Sequence, residues 1–384
     1  MPSAENEATD AREAPVPALI IGAGPAGLAA AACLKQRGID ALVLDAGTAV
    51  GASWRQRYDR LHLHTVKQHS HLPGRRFPKD VPRYPSAAQM VAYLEAYATE
   101  FAVQPRFNEP VRRVSVADGG FTVETSRAIH RARAVVMATG YNRVPNPDRP
   151  PGAERFQGQL LHAASYRNAA PFAGKNVLVV GAGNTGAEIA LELAERGAKP
   201  TLAVRTPVNV VPRDFLGLPT QVTSIRMRRA PIALGDSLGR LISRLVFGNL
   251  ARFGLGRPDL GPLSAIKLRR RIPLIDIGTI AAIKDGRIAV KPAVDQLTPQ
   301  GATFADSSAG EYHAIVLATG YGPALAEIVD VPGVLAADGH PRDWRGGGAC
   351  PNLFFVGFHN VATGLLREIG IEAQKVAAAI AGAE

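Results

Sequence analysis

The chain has 384 residues, 46% of them hydrophobic and 20% charged, with 44 Lys+Arg against 33 Asp+Glu for a net charge of +11. This length exceeds one ordinary core and points to two domains, and the composition excludes a disordered or fibrous chain; the positive balance favours anionic small molecules, nucleic acid or a membrane surface without choosing among them. Two cysteines, Cys33 and Cys350, supply no disulfide framework, CxxC redox pair or cysteine-rich zinc site, and they fit a reducing compartment.

Residues 1–15, MPSAENEATDAREAP, are acidic and lack an apolar core, so a loose N-terminal arm is expected rather than a signal peptide. Val16 to Leu34 carries no charge and is long enough to imitate a membrane span. Gly22, Gly24, Pro25 and Gly27 in its middle instead predict a strand, a tight turn and a helix. In this βαβ unit Gly22 makes the turn, Gly24 lets backbone approach a pyrophosphate, and Gly27 packs the helix against the strand. Pro25 and Ala26 open the helix whose N-terminus faces the phosphates. Asp45 stands 23 positions after Gly22. A carboxylate there accepts from ribose hydroxyls and repels a 2′-phosphate, so this unit is expected to hold FAD or NAD.

The run LHLHTVKQHSH, Leu61 to His71, holds four of the nine histidines. Its alternation predicts an extended strand with Leu61 and Leu63 on one face and His62 and His64 on the other. A His-x-His pair can ligate a metal with His69, His71 or Asp59. Because His69 and His71 follow a predicted loop and no thiolate is near, no metal site is expected; His62 reads as structural, and His69 and His71 as surface residues.

RARAVVMATGYNRVP places a buried-type strand before ATGY, and FQGQLLHAASY follows with Phe156, Gly158, His162 and Tyr166. Read on its own, His162 is a hinge histidine between domains. The second βαβ unit has Gly181, Gly183 and Gly186 in its turn, with Asn184 and Thr185 opening the helix. Arg205 replaces the strand-end acid 24 positions after Gly181. A guanidinium pairs with a dianionic phosphate, so this unit leans to NADPH. Two dinucleotide sites of different polarity imply hydride transfer between cofactors, and NADPH with a flavin is the natural pair. From Pro212 to Lys267 a basic, partly amphipathic stretch reads as a helical insertion capping an active site, with a membrane-surface helix as its alternative. YHAIVLATGYGPAL repeats the ATGY strand, and PNLFFVGF precedes IEAQKVAAAIAGA, a closing helix.

The expected fold is α/β, with two Rossmann-like dinucleotide-binding domains in a two-domain flavoprotein. Residues 16–166 and 322–384 are expected to form the FAD-binding domain. Residues 167–321 are expected to form the NADPH-binding domain, with the insertion at about 212–267.

The order FxGxxxHxxxY at Phe156, Gly158, His162 and Tyr166 resembles the fingerprint of the class B flavin-containing monooxygenases, in which Baeyer–Villiger enzymes have Trp at the last position. The likeness extends over SWRQRYDRLHLHT, VNVVPRDFLG, ARFGLGRPDLGPL and IDIGTIAAIKDGRIAV, and is most similar to the YUCCA branch, which converts indole-3-pyruvate to indole-3-acetate. The resemblance implies FAD, NADPH and O2 as working parts, a C4a-(hydro)peroxyflavin as oxygenating species, and Ser53, Trp54 and Thr65 among the cofactor contacts. The favoured reaction is oxidative decarboxylation of an aryl 2-oxo acid; N- or S-oxygenation or Baeyer–Villiger oxidation is the alternative. A non-oxygenating flavin redox sensor ranks below both, and a thioredoxin-reductase-like enzyme lacks its dithiol. Many relatives have Asn in a TNxxK stretch near the flavin. With Lys67 as the Lys, His64 takes the Asn position, which implies a catalytic imidazole influencing the peroxyflavin's lifetime or protonation. Arg213 is a candidate for recruiting a substrate carboxylate. The expected partners are a small-molecule substrate and O2, with neither nucleic acid nor membrane; a homodimer is left open, and the expected location is the cytoplasm.

Overall fold

The computed structural model describes residues 15–382; all of the expected arm (1–15) but Pro15 lies outside the described residues, as do 383–384. Apolar Val16–Ile21 forms strand β1, and helix α1 (Pro25–Lys35) follows after the glycine turn. Burial is continuous from Ala26 to Leu34, so the uncharged stretch is a core helix, apolar on all sides because protein surrounds it. Strand β2 (Ala41–Leu44) returns parallel to β1. Helix α2 (Ala87–Glu100) starts at a capping box of Ser86 and Gln89.

Strands β3 (Val111–Ala117), β4 (Gly120–Thr125) and β5 (Ile129–Met137) complete a sheet of order β2-β1-β5-β4-β3. The C-terminal half of β5 runs parallel to β1, and its N-terminal half is antiparallel to β4.

The second sheet is wholly parallel. It contains β6 (Gln159–His162), β7 (Asn176–Val180), β8 (Lys199–Ala203), β9 (Ala289–Lys291) and β10 (Ala314–Leu317) in the order β9-β8-β7-β10-β6. Helix α3 (Asn184–Glu195) links β7 to β8. The insertion supplies α4 (Thr220–Arg226), α5 (Ile232–Phe247) and α6 (Pro262–Arg269) between β8 and β9. The chain then returns to the first sheet. Strand β11 (Val329–Asp330) pairs with β3, and β12 (Leu353–Phe355) pairs with β5. Helix α7 (Leu365–Ala381) closes the chain against α1, starting earlier than its apolar spacing suggests because Gly364, not Ile371, ends the preceding turn. Among the described residues no helix is long and apolar enough to cross a membrane.

Candidate active site

A cleft of about 2470 Å3 runs from the first glycine turn to the second and on beneath the insertion helices. A drug-sized site occupies roughly 300–1,000 Å3, so this cleft has room for two dinucleotides and a substrate. It opens at the carboxyl ends of β1 and β7, where doubly wound sheets bind ligands.

The two turns share one geometry. Gly22 has φ 115°, and a Cβ there would lie 2.4 Å from the Ala138 carbonyl oxygen; Gly181 has φ 113°, with the Ala318 carbonyl oxygen at 2.5 Å. Gly27 and Gly186 pack beneath, where a Cβ would stand 1.8 and 1.9 Å from the carbonyl oxygens of Gly22 and Gly181. Gly24 and Gly183 differ from both pairs, because nothing lies within 4 Å of where their Cβ would be. Each is the extended N-cap of its helix, and neither helix has a side-chain cap. Free first-turn amides and open space are what a pyrophosphate needs. Thr139 Oγ1 and Thr319 Oγ1, from the two ATG segments on the cleft wall, are buried without a hydrogen-bond partner among the described residues, which fits hydroxyls awaiting ligands.

Asp45 and Arg205 both line the cleft. The half-buried Asp45 carboxylate accepts from the Ala23 amide (2.5 Å) and the Gly47 amide (2.6 Å). Each oxygen keeps a lone pair for a ribose hydroxyl. Arg205 is exposed, and among the described residues it has no ion-pair partner. Arg271 donates to Thr206 Oγ1 (3.0 Å) next to it in sequence. Pro25, Ala26, Ser53, Trp54, Thr65, Asn184 and Thr185 line the same cleft. The Asn184 side chain is engaged by protein: it donates to the Pro273 carbonyl (3.1 Å) and accepts from the Ile275 amide (2.7 Å).

The histidine run is not the alternating strand expected. Only His62 pairs, in an isolated bridge to Ser86, because a turn and a short 3-10 helix at Lys67–His69 follow at once. His62 is exposed, with Nδ1 2.6 Å from the Arg60 carbonyl. His64 lines the cleft with its side chain 15% exposed, and its buried Nε2 has no hydrogen bond among the described residues. The nearest acid is Glu188 of α3, whose Oε2 lies 3.6 Å away. Lys67 Nζ donates to the carbonyls of Pro78, Lys79 and Val81, which fixes the segment carrying His64. His69 and His71 are half-buried. Among the described residues no group of three or more His, Cys, Asp or Glu could hold a metal ion.

Helix α3 meets the first unit through three acids on one face, Glu188, Glu192 and Glu195. Tyr58 Oη donates to Glu188 (2.7 Å), Tyr166 Oη donates to Glu192 (2.9 Å), and Arg60 pairs with Glu195. Burial, then the Glu188 charge, pushes the Tyr58 hydroxyl well above its ordinary range, so it stays a donor. Burial likewise raises the Glu192 carboxyl. The linker motif lies off the cleft wall. Phe156 fills the space a Cβ at Gly158 would take, 2.5 Å away, and Tyr166 stacks on Phe172. His162 Nδ1 accepts from the Ala164 amide (3.0 Å), its ring meets Tyr321 edge-on, and burial lowers its pKa.

Arg213 does not line the cleft. It pairs with Asp214 and stacks over Tyr84 at 4.1 Å. Sequence reasoning passed over Glu188, Gln221 and Glu372, all buried. The signal for Glu188 and Glu192 is their i, i+4 spacing on the apolar face of EIALELAE, where an acid needs a partner. Glu372 accepts from the Gly357 amide (2.8 Å), and burial pushes its carboxyl up to about 7.

Residues 19–214 match the pyridine nucleotide-disulphide oxidoreductase family. The chain is 41% identical over 363 residues to indole-3-pyruvate monooxygenase YUCCA1 of Oryza sativa subsp. japonica, covering 91% of this chain and 89% of that protein. It is 38% identical over 356 residues to YUCCA6 of Arabidopsis thaliana, covering 88% and 85%. Among solved structures, a double mutant of a flavin monooxygenase from Stenotrophomonas maltophilia superposes with a TM-score of 0.75 at 24% identity, covering 97% of this chain and 99% of that one. An oxidized steroid monooxygenase bound to NADP gives 0.75 at 19% identity, covering 95% and 84%. At these identities the two structures establish the fold.

Proposed function

This chain belongs to the YUCCA family of flavin monooxygenases, and from that membership we propose that its substrate is an aryl 2-oxo acid such as indole-3-pyruvate. The enzyme is an oxidoreductase that works with FAD, NADPH and O2. Flavin chemistry, when the cofactor is bound, activates O2 and delivers one oxygen atom; the protein supplies orientation, dryness and charge. One 2-oxo acid, O2, NADPH and a proton give the acid one carbon shorter, CO2, NADP+ and water.

The observation that carries the reading is the cleft joining two equivalent turns, one with an acid at its strand end and the other with an arginine that has no ion-pair partner among the described residues. Gly22, Gly24, Gly27 and Asp45 hold the FAD side. Gly181, Gly183, Gly186 and Arg205 hold the NADPH side, with the guanidinium on the 2′-phosphate. Under the insertion the wall includes Met227, Leu238, Ile242 and Leu263, which suit a flat aryl group, and Arg228 and Lys267, which suit its carboxylate. His64 is the catalytic imidazole: its buried Nε2, without a hydrogen bond among the described residues, is free to exchange a proton at the cleft, 3.6 Å from Glu188 Oε2.

The test supplies NADPH and O2 with indole-3-pyruvate, phenylpyruvate, a tertiary amine, a thioether or a cyclic ketone, and analyses products. Indole-3-acetate with CO2 is expected. An N-oxide, sulfoxide or ester as the only product would move the substrate class, and H2O2 alone from all five would sink the reading. His64→Ala is expected to keep its flavin and divert NADPH oxidation to H2O2; an unchanged product yield would remove His64 from catalysis.

A further inference from the structure

One buried side chain ties the helical insertion to the segment that carries His64. Gln221, in the first turn of α4, is 4% exposed. Its Oε1 accepts from the Val66 amide (2.8 Å), and its Nε2 donates to the Thr363 carbonyl (2.7 Å). Both ends of one amide are thus used on two backbone segments of the FAD side. A buried amide left unpaired costs far more than it gains when paired, so this junction favours a single closed arrangement. The fit is close. Gly364 has φ 98°, and a Cβ there would meet Gln221 Nε2 at 2.6 Å and Thr65 Cγ2 at 3.0 Å.

Other polar contacts from the insertion to the first unit, among them Arg83 with Asp214 and Gly217 and Tyr84 with Asp214, lie nearer to solvent. Exposed or half-exposed polar contacts of this kind hold weakly. The Thr220 hydroxyl bonds to the Pro212 carbonyl within the insertion itself. Gln221, Thr65 and Thr363 all line the cleft. The amide therefore sits where the cap, the His64–Val66 turn and the turn before α7 converge.

We propose that Gln221 is a positioning residue that latches the insertion onto the His64–Val66 turn and closes the cap over the reacting end of the cleft. The proposal rests on the flavin monooxygenase reading only for its activity readout. Gln221 acts through the Val66 and Thr363 backbones. Opening the latch admits water to the reacting end, and oxygen is then lost as H2O2 rather than transferred.

Two variants of the full-length holoenzyme test this. Gln221→Leu keeps most of the volume and removes both bonds. Its amides at 220–226 and 361–366 are expected to exchange hydrogen at least fivefold faster. Flavin content and the rate of flavin reduction by NADPH stay within twofold, and the H2O2 share per NADPH rises at least threefold. Gln221→Glu keeps the acceptor for Val66 at every pH but donates to Thr363 only while protonated, and burial favours that form. Its coupling is expected to approach wild type near pH 6 and fall towards the Leu variant near pH 8, a crossover neither of the other two proteins shows. Wild-type exchange and coupling in the Leu variant would overturn the latch. So would coupling lost only in proportion to lost flavin, or a Glu variant whose coupling ignores pH. If the wild type oxygenates none of the five compounds, the substrate reading fails, and hydrogen exchange still decides the latch.

Discussion

At Gly22 and Gly181 the chain bends with φ 115° and 113° against the same kind of carbonyl, yet the surroundings of the two turns diverge. Around the first, Asp45 is bound by two backbone amides, and Gly357 packs on Ala26, where a Cβ would lie 3.1 Å from that side chain. Glu372 in turn holds the Gly357 amide. Around the second, Gly183 is exposed, and Arg205 stands in solvent without an ion-pair partner among the described residues. The glycines decide how closely a phosphate can approach. Neighbouring side chains decide how enclosed each turn becomes, and on the proposed function they also select its dinucleotide. An enclosed turn suits a cofactor that stays, and an open one suits a cofactor that comes and goes.

The largest expected effects fall on the glycines that lack room. Gly27→Ala puts a methyl 1.8 Å from a carbonyl oxygen, so the turn must unpack, costing about 3 kcal/mol or more. A large fall in thermal midpoint with loss of flavin absorbance is expected. Gly24→Ala meets no protein atom within 4 Å; it should fold as the wild type does and lose flavin. Gly183→Ala, its counterpart, should keep flavin and raise only the KM for NADPH. Next in size is Arg205→Ala. Charge-assisted bonds to a phosphate contribute about 1.5–3 kcal/mol, so the KM for NADPH should rise roughly 10- to 100-fold while that for NADH changes little. Equal effects on both cofactors would remove Arg205 from the 2′-phosphate.

The glycine spacing made both turns legible, because a turn that needs φ above zero and a helix that needs close packing leave no substitute at those positions. The strand-end residues were equally readable, since Asp45 and Arg205 follow their turns at nearly the same distance. LHLH misled. Alternation predicts a strand only where a neighbouring strand is available, and His62 finds one bridge partner before the chain turns. Gln221 and Glu372 were invisible for a different reason. Their partners are backbone groups at Val66, Thr363 and Gly357, and a pattern of side chains carries no trace of a bond to distant backbone.

Glu372 makes the first turn sensitive to pH, because among the described residues it is the buried acid behind that turn. Its carboxyl titrates near 7 in the fold and near 4.3 in an unfolded chain. The folded state therefore binds the extra proton between those values. The associated stability is full below about pH 4 and is lost as pH rises through 7. Glu372→Gln keeps an acceptor for the Gly357 amide and removes the titration. It should flatten the pH dependence of urea unfolding and be more stable at pH 8 by about 1–3 kcal/mol. An unchanged slope between pH 5 and pH 8 would locate the loss of stability with rising pH elsewhere.

The smallest expected effects separate the turns most cleanly. Thr139 and Thr319 each bury a hydroxyl with no partner among the described residues, and Thr→Val removes that hydroxyl at nearly constant volume. In cofactor-free protein each change should be neutral or stabilising by about 1 kcal/mol, because no bond is lost and an unpaired polar group disappears. With cofactors present the two should part. Thr139→Val should speed flavin loss a few-fold and leave the KM for NADPH alone. Thr319→Val should raise that KM a few-fold and leave flavin retention alone. Destabilised cofactor-free variants would mean the hydroxyls serve the protein rather than a ligand. Identical effects on both cofactors would mean the two turns are not separate sites.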